Sequence, residues 1–261
     1  MPGFSTDAVL LRKIEYGDHD YIISFLTQTH GKTSVIAKNA KKSIKRFSGA
    51  LDLFSVYHIQ CVYPKKNKEG LTILSQADLE NGFVNIRYDI FKTAYASFWA
   101  ELIHFWLEEE KPSPRLYDLF IFSLEALSQG IISKEVISLL FQIRFMDLSG
   151  FSPNFETCHH CGIRIDDIQT QTMGFDFKEG CLVCQKCNKK KSRYGMTISK
   201  GTLKQLFWIK ISDITRADRI KFSNYAIKEG EALLEAFIPF HIGREFKSLK
   251  FLRQIRQENE F

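Results

Sequence analysis

Tyr21-Ile22-Ile23-Ser24-Phe25-Leu26-Thr27 and Thr33-Ser34-Val35-Ile36-Ala37 are two runs rich in β-branched and aromatic residues, parted by a turn at His30-Gly31. Runs of this kind, bounded by turn formers, predict strands. Working outward, Ala8 to Ile14 precedes them across Gly17-Asp18, and Leu51 to Tyr63 and Leu71 to Leu74 follow, joined by the polar Lys65-Lys66-Asn67-Lys68-Glu69-Gly70. Five short strands with tight turns predict a small Greek-key barrel such as an OB-fold. An SH3-like barrel would give much the same pattern, and periodicity alone does not separate the two.

From Asp89 the period becomes that of a helix. Phe91, Tyr95, Phe98, Leu102 and Phe105 recur at steps of three or four and stop before Lys111-Pro112-Ser113-Pro114, which cannot continue a helix. Leu116 to Leu127, closed by Gly130, and Val136 to Leu148, closed by Gly150, are two further helices. Ser199 is the expected N-cap of a helix from Lys200 to Ile211, and Ser223 of one that runs through Ile238 and is stopped by Pro239. Gly243 to Arg256 is the last. The expected class is α+β, with an N-terminal OB-type barrel over 1–80 and a helical domain in two parts, 81–153 and 196–261, around an insert at 154–195.

That insert carries Cys158-His159-His160-Cys161 and Cys184-Gln185-Lys186-Cys187. Two Cys-x-x-Cys knuckles bring four thiolates to the corners of a tetrahedron, so Cys158, Cys161, Cys184 and Cys187 are expected to hold one structural Zn2+ per chain. Four sulfur ligands close the shell and leave no position for water or substrate. His159 and His160 then face solvent. Cys181 is left out because Cys184 already pairs with Cys187, and Cys61, in an apolar run, reads as a small core residue.

The chain of 261 residues carries a net charge of +6, unevenly spread. Lys32, Lys38, Lys41, Lys42, Lys45 and Arg46 occupy a stretch without an acid; Lys189, Lys190, Lys191 and Arg193 follow the second knuckle; Arg244, Lys247, Lys250, Arg253 and Arg256 recur every third residue. Phosphate backbones are the expected partner of such clusters, because each neutralised phosphate releases counterions. Tyr16, Tyr21, Phe47 and Tyr57 are candidates for stacking on unpaired bases, with Phe47 first because it directly follows the basic run. The start of the chain shows no signal-peptide pattern and no apolar run is long enough to span a bilayer, so a cytoplasmic protein is expected.

Catalytic motifs are missing. Gly31-Lys32-Thr33 resembles the end of a phosphate-binding loop, but Leu26 stands where that loop needs glycine. Val183 precedes Cys184 where a zinc deaminase has proline, and neither Gly-x-Ser-x-Gly nor His-Glu-x-x-His occurs. No residue is assigned a catalytic role, and the expectation is a protein that is not an enzyme.

Gly31-Lys32-Thr33-Ser34-Val35-Ile36-Ala37-Lys38-Asn39-Ala40-Lys41-Lys42, then Phe47-Ser48-Gly49-Ala50-Leu51-Asp52-Leu53-Phe54, resembles the N-terminal signature of the RecO family of bacterial recombination mediators. The similarity continues through Phe145 to Pro153, both knuckles, and Phe175-Asp176-Phe177. The family has glycine where this chain has Asn39, which tolerates positive φ, and a small residue where Cys181 stands. The resemblance implies an OB-fold, a helical domain with a zinc-binding segment, and a non-catalytic role in DNA repair and homologous recombination. It further implies binding of single- and double-stranded DNA, strand annealing, contact with the C-terminal tail of single-stranded DNA-binding protein, association with RecR, and indirect assistance to RecA loading. From charge alone, an RNA-binding or ribosome-associated zinc protein is the alternative, and a scaffold for acidic protein tails a third.

Overall fold

The computed structural model describes residues 2–43, 45–47, 51–64, 70–188, 195–214, 219 and 221–259. The chain divides into two compact units. One comprises Met1–Ser128 with Lys250–Phe261, the other Gln129–Leu249.

The first unit opens with five strands, β1 (Gly3–Tyr16), β2 (Asp20–Thr27), β3 (Gly31–Ala37), β4 (Val56–Val62) and β5 (Thr72–Asn81). They close into a barrel in the order β1-β2-β3-β5-β4, with β1 antiparallel to both β2 and β4 and β3 parallel to β5. This is a Greek-key barrel of the OB type, the first of the two candidates the strand pattern allowed. β1 outruns its expected span at both ends because it serves two neighbours, pairing through residues 3–9 with β4 and through 8–16 with β2. The register slips between Leu10 and Arg12, a bulge that bends the strand from one partner to the other. Ala8, Leu10, Ile23, Phe25, Val35 and Ile59 fill the barrel, and Phe47 and Leu51, from the β3–β4 connection, are buried with them.

Two turn glycines in this unit differ in what surrounds them. Gly31 adopts φ 71°, and a Cβ there would lie 2.0 Å from the Lys111 carbonyl oxygen. The segment after α2 lies that close because it extends the sheet: Glu110 N–H donates to the Lys32 carbonyl at 2.8 Å, and the Glu109 carboxylate accepts from Ser34 N–H and Oγ, each at 3.0 Å. Gly17 also has positive φ, in the β1–β2 turn, but its Cβ would meet open space.

After the barrel come α1 (Val84–Arg87), α2 (Ile90–Trp106) and α3 (Pro114–Gln129). Asp89 caps α2, accepting from the N–H groups of Phe91 and Lys92. α7 (Lys247–Glu258) returns to α2, where the Arg256 guanidinium lies 5.0 Å from the Tyr95 ring centre and donates to Tyr95 Oη at 2.9 and 3.2 Å.

In the second unit, α4 (Lys134–Leu148), α5 (Lys200–Ile211) and α6 (Asn224–Ile242) pack together, with Gly230 close to Leu139 and Leu206, where a Cβ would come within 3.2–3.3 Å of both. Ser199 and Ser223 cap α5 and α6 as their sequence positions predict. Pro239 does not stop α6. It sits inside the helix, which continues to Ile242 and ends at Gly243 with φ 68°. Buried Phe237 and Ile238 anchor the last turns, and Gly243 and Arg244 N–H groups close the end on the Pro239 carbonyl. The insert adds a sheet the sequence did not announce, β7-β6-β8, made of β6 (Thr172–Asp176), β7 (Cys181–Val183) and β8 (Gly195–Ser199). Phe175 ties this sheet to α6 through Phe237, at a ring-centre distance of 5.4 Å, and packs on Phe155, in the loop before the first knuckle, at 5.6 Å. Among the described residues, no helix is long and apolar enough to cross a membrane.

Candidate metal centre and nucleic-acid interface

Each knuckle is a tight backbone turn before it is a ligand pair. Gly162 N–H donates to the Cys158 carbonyl at 2.9 Å with Gly162 at φ 69°, and Cys187 and Asn188 N–H groups both donate to the Cys184 carbonyl, at 3.0 and 2.9 Å. His159 N–H donates to the Leu182 carbonyl at 2.9 Å, which holds the first knuckle against β7. The result is that the Sγ atoms of Cys158, Cys161, Cys184 and Cys187 all lie within 4.8 Å of one another, with Cys161 and Cys184 3.7 Å apart. Tetrahedral Zn–S bonds of about 2.3 Å require sulfurs about 3.8 Å apart, so the spacing fits a metal ion.

The proton chemistry agrees. Burial works against ionising Cys158, yet backbone N–H donors from Cys184, Cys161 and His160 outweigh it and bring the thiol down to about 6. Cys187 is pushed up to about 12, first by its hydrogen bonds with the Cys184 and Cys161 sulfurs. Four sulfurs this close cannot all ionise without a cation among them, and a divalent ion in place of the protons removes the conflict. Cys181 lies outside the group, its thiol donating to the Glu179 carbonyl at 3.1 Å, and burial in the barrel pushes Cys61 up to about 12. His159 and His160 are exposed, with His159 Nε2 4.0 Å from the Glu179 carboxylate.

The basic run lies against the β1–β2 hairpin. Asn39, at φ 54°, donates its N–H to Asp20 at 2.7 Å, and Lys41 N–H donates to the His19 carbonyl at 3.1 Å. Lys42 Nζ reaches His19 Nε2 at 2.8 Å, so that ring nitrogen is the acceptor. Arg46 braces the loop from within, donating to the Lys38 carbonyl at 2.6 Å and to Ser43 Oγ at 3.0 Å. Lys41 pairs with Glu15 at 2.9 Å, a contact that raises the lysine and lowers the carboxyl, first through their hydrogen bond. Lys38 and Lys45 are exposed, and no ion pair of either occurs among the described residues.

Two expected DNA contacts are displaced by this geometry. Lys32 is 8% exposed, its ammonium donating to the His104 carbonyl at 2.8 Å and lying 3.5 Å from Glu109. It joins the barrel to the end of α2 and has no free face for a phosphate. Phe47 is 2% exposed, packed in the barrel with Arg46 5.0 Å from its ring centre, so it is a core residue and not a stacking platform. Tyr57 is core as well, and Tyr21 lies under Lys13 and Lys41. Tyr16 is the exposed aromatic of the four, at 54%. His19 is the participant that sequence reasoning missed; its place directly after Gly17-Asp18 was the available signal.

Lys189, Lys190, Lys191 and Arg193 lie outside the described residues. Arg244 and Lys247 are exposed in the second unit; in the first, Lys250 is exposed, Arg253 is half-buried, and Arg256 is drawn onto Tyr95.

Comparison with known proteins completes the description. The family model described as Recombination protein O N terminal matches residues 1–83, and that described as Recombination protein O C terminal matches residues 87–250. The chain is 44% identical over 259 residues to the DNA repair protein RecO of Desulfatibacillum aliphaticivorans, covering 99% of this chain and 100% of the relative. It is 38% identical over 259 residues to that of Desulfosudis oleivorans (98% and 99% covered) and 30% identical over 253 residues to that of Syntrophus aciditrophicus (97% and 96%).

Proposed function

The chain belongs to the RecO family, a family of DNA repair and recombination proteins, and from that premise we propose that it is a non-catalytic mediator that binds single- and double-stranded DNA and anneals complementary strands. In this reading it works with RecR, engages the C-terminal tail of single-stranded DNA-binding protein, and assists RecA loading, at the nucleoid in the cytoplasm. The DNA surface begins at the basic loop of the 1–80 barrel, with Lys38, Lys42 and Lys45 toward phosphate. Lys41 and Arg46 hold the loop in shape and add charge. Lys189 to Arg193 and the Arg244, Lys247, Lys250, Arg253 and Arg256 series supply further cationic contacts from the 154–195 and 196–261 segments, with 81–153 as helical support.

One observation carries this reading: the loop is fixed to the hairpin by backbone hydrogen bonds while Lys38 and Lys45 stay exposed. A cationic surface that keeps its shape loses little entropy on meeting a strand. Two strands held against it lose much of their mutual repulsion, so annealing proceeds without a catalytic group. Lys38→Glu, Lys42→Glu and Lys45→Glu together should weaken binding to all sequences alike and lower the slope of log affinity against log salt by about two to three. Titrating labelled oligonucleotides across salt concentrations measures both, and an unchanged slope rejects the loop as the contact. Matched RNA strands in the same titration separate DNA from RNA handling, and a strong RNA preference reverses the assignment.

The metal of the four-cysteine group is zinc in this proposal, one per chain, closing the insert and offering no open coordination position. Metal analysis of the purified chain should return about one equivalent.

A further inference from the structure

A second surface of the first unit has the opposite character. A cleft of about 420 Å³ runs between the barrel and α3, lined among others by Asp7, Phe83, Asp118, Ile121, Phe122 and Glu125. On α3, positions 118, 121, 122 and 125 follow i, i+3, i+4, i+7 spacing and share one face, while the buried Leu116, Phe120, Leu124 and Leu127 take the other. This helix therefore carries two half-buried large apolar side chains, framed by two exposed carboxylates, on the face that lines the cleft. Asp7 adds a third carboxylate from β1, bound to His58 Nδ1 at 2.7 Å. Among the described residues no lysine or arginine lines the cleft, in a chain of net charge +6. Tyr117, also in the lining, has its hydroxyl pushed up to about 12, by burial first and then by Asp7 and Asp118, as a negative field requires.

We propose that this cleft is a docking site for a partner protein, and that it takes a segment in which large apolar side chains are flanked by two lysines or arginines. Charge complementarity sets the occupant. A phosphate backbone is repelled by all three carboxylates. A single small cation is a poor match too, because Asp118 and Glu125 are seven residues apart on a helix, about 10 Å along its axis. Two cationic side chains of one chain segment bridge that distance, with the apolar residues between them seated on Ile121, Phe122 and Phe83. The site is separate from the basic loop: Asp7 and Glu15, which pairs with Lys41, lie eight residues apart on either side of the bend in β1, at most about 25 Å along the strand. DNA and the partner are bound together and do not compete.

The test uses the full chain, a fluorescently labelled short peptide with a Leu-Phe core between two lysines, and the same peptide with glutamates in place of the lysines. The basic peptide should bind at least about tenfold more tightly than the acidic one at low salt. Asp118→Asn with Glu125→Gln, both at exposed positions, should erase most of that preference while leaving oligonucleotide affinity and its salt slope unchanged. A saturating oligonucleotide should leave the peptide bound. The proposal is overturned if the two peptides bind alike, if the double variant binds the basic peptide as well as the wild type does, or if DNA displaces it. Sedimentation of the protein alone is the remaining arm: a dimer that the double variant abolishes makes a second copy the occupant and also overturns it. Because oligonucleotide binding is read in the same samples, failure here is distinct from failure of the DNA assignment.

Discussion

With zinc held by the four cysteines as proposed, Cys184→Ser is expected to release the metal and loosen the knuckle region while the barrel stays folded. Its sulfur is one of four within 4.8 Å of one another, and its residue also carries the second knuckle, accepting two N–H bonds at its carbonyl and donating its own N–H to Cys158 Sγ at 3.3 Å. Structural zinc in small peptides supplies about 10–16 kcal/mol of folding free energy, so losing one ligand of four removes several kcal/mol from the two knuckles, while buried Phe155, Phe175 and Leu182 still hold the sheet beside them. Metal content should fall well below one equivalent, and amide exchange in 154–188 should accelerate. Cys181→Ser is the matched control and should keep the metal, since that thiol bonds to the Glu179 carbonyl. Retained zinc in the first variant, or lost zinc in the second, contradicts the ligand set.

The second large effect is expected at Gly31. Alanine there meets two obstacles: a φ of 71°, costing about 1–2 kcal/mol for a residue with a Cβ, and the Lys111 carbonyl, which has to move. Moving it breaks the strand-like attachment of residues 109–111 to β3, and the two costs together come to about 3–5 kcal/mol. For a protein of this size that is a drop of roughly 10 °C in Tm. Gly17→Ala shares the left-handed backbone but meets nothing within 4 Å, so it should cost only about 1 kcal/mol. Thermal melts of the two variants side by side separate backbone strain from close approach. Equal shifts would show that the carbonyl contact does not matter.

The five strands, the long helices and both serine caps are local matters, set by periodicity and by side chains bonding to nearby N–H groups, and they appear in the expected order, although β1 and β5 run longer and β4 shorter than the sequence puts them. The four-cysteine group was legible for the same reason, since two tight turns need only be brought face to face. Asn39 follows the rule that admitted it, sitting at φ 54°. What was not legible depends on distant residues. Lys32 looks like part of a basic run until Glu109 and the His104 carbonyl, more than seventy positions away, claim its ammonium. Phe47 looks like an exposed neighbour of Arg46 until the barrel closes over it. Pro239 reads as a terminator because its missing N–H is visible in sequence, while the burial of Phe237 and Ile238 that carries the helix past it is not.

The first unit is built from the two ends of the chain, with 129–249 standing between them. During synthesis, Tyr95 is finished long before Arg256, its partner on α7, has been translated. The first unit therefore lacks its last helix until residues 129–249 have been made. A message cut short within residues 129–249 yields a product deficient in both units at once, one that quality-control proteases can recognise by the uncovered face of α2.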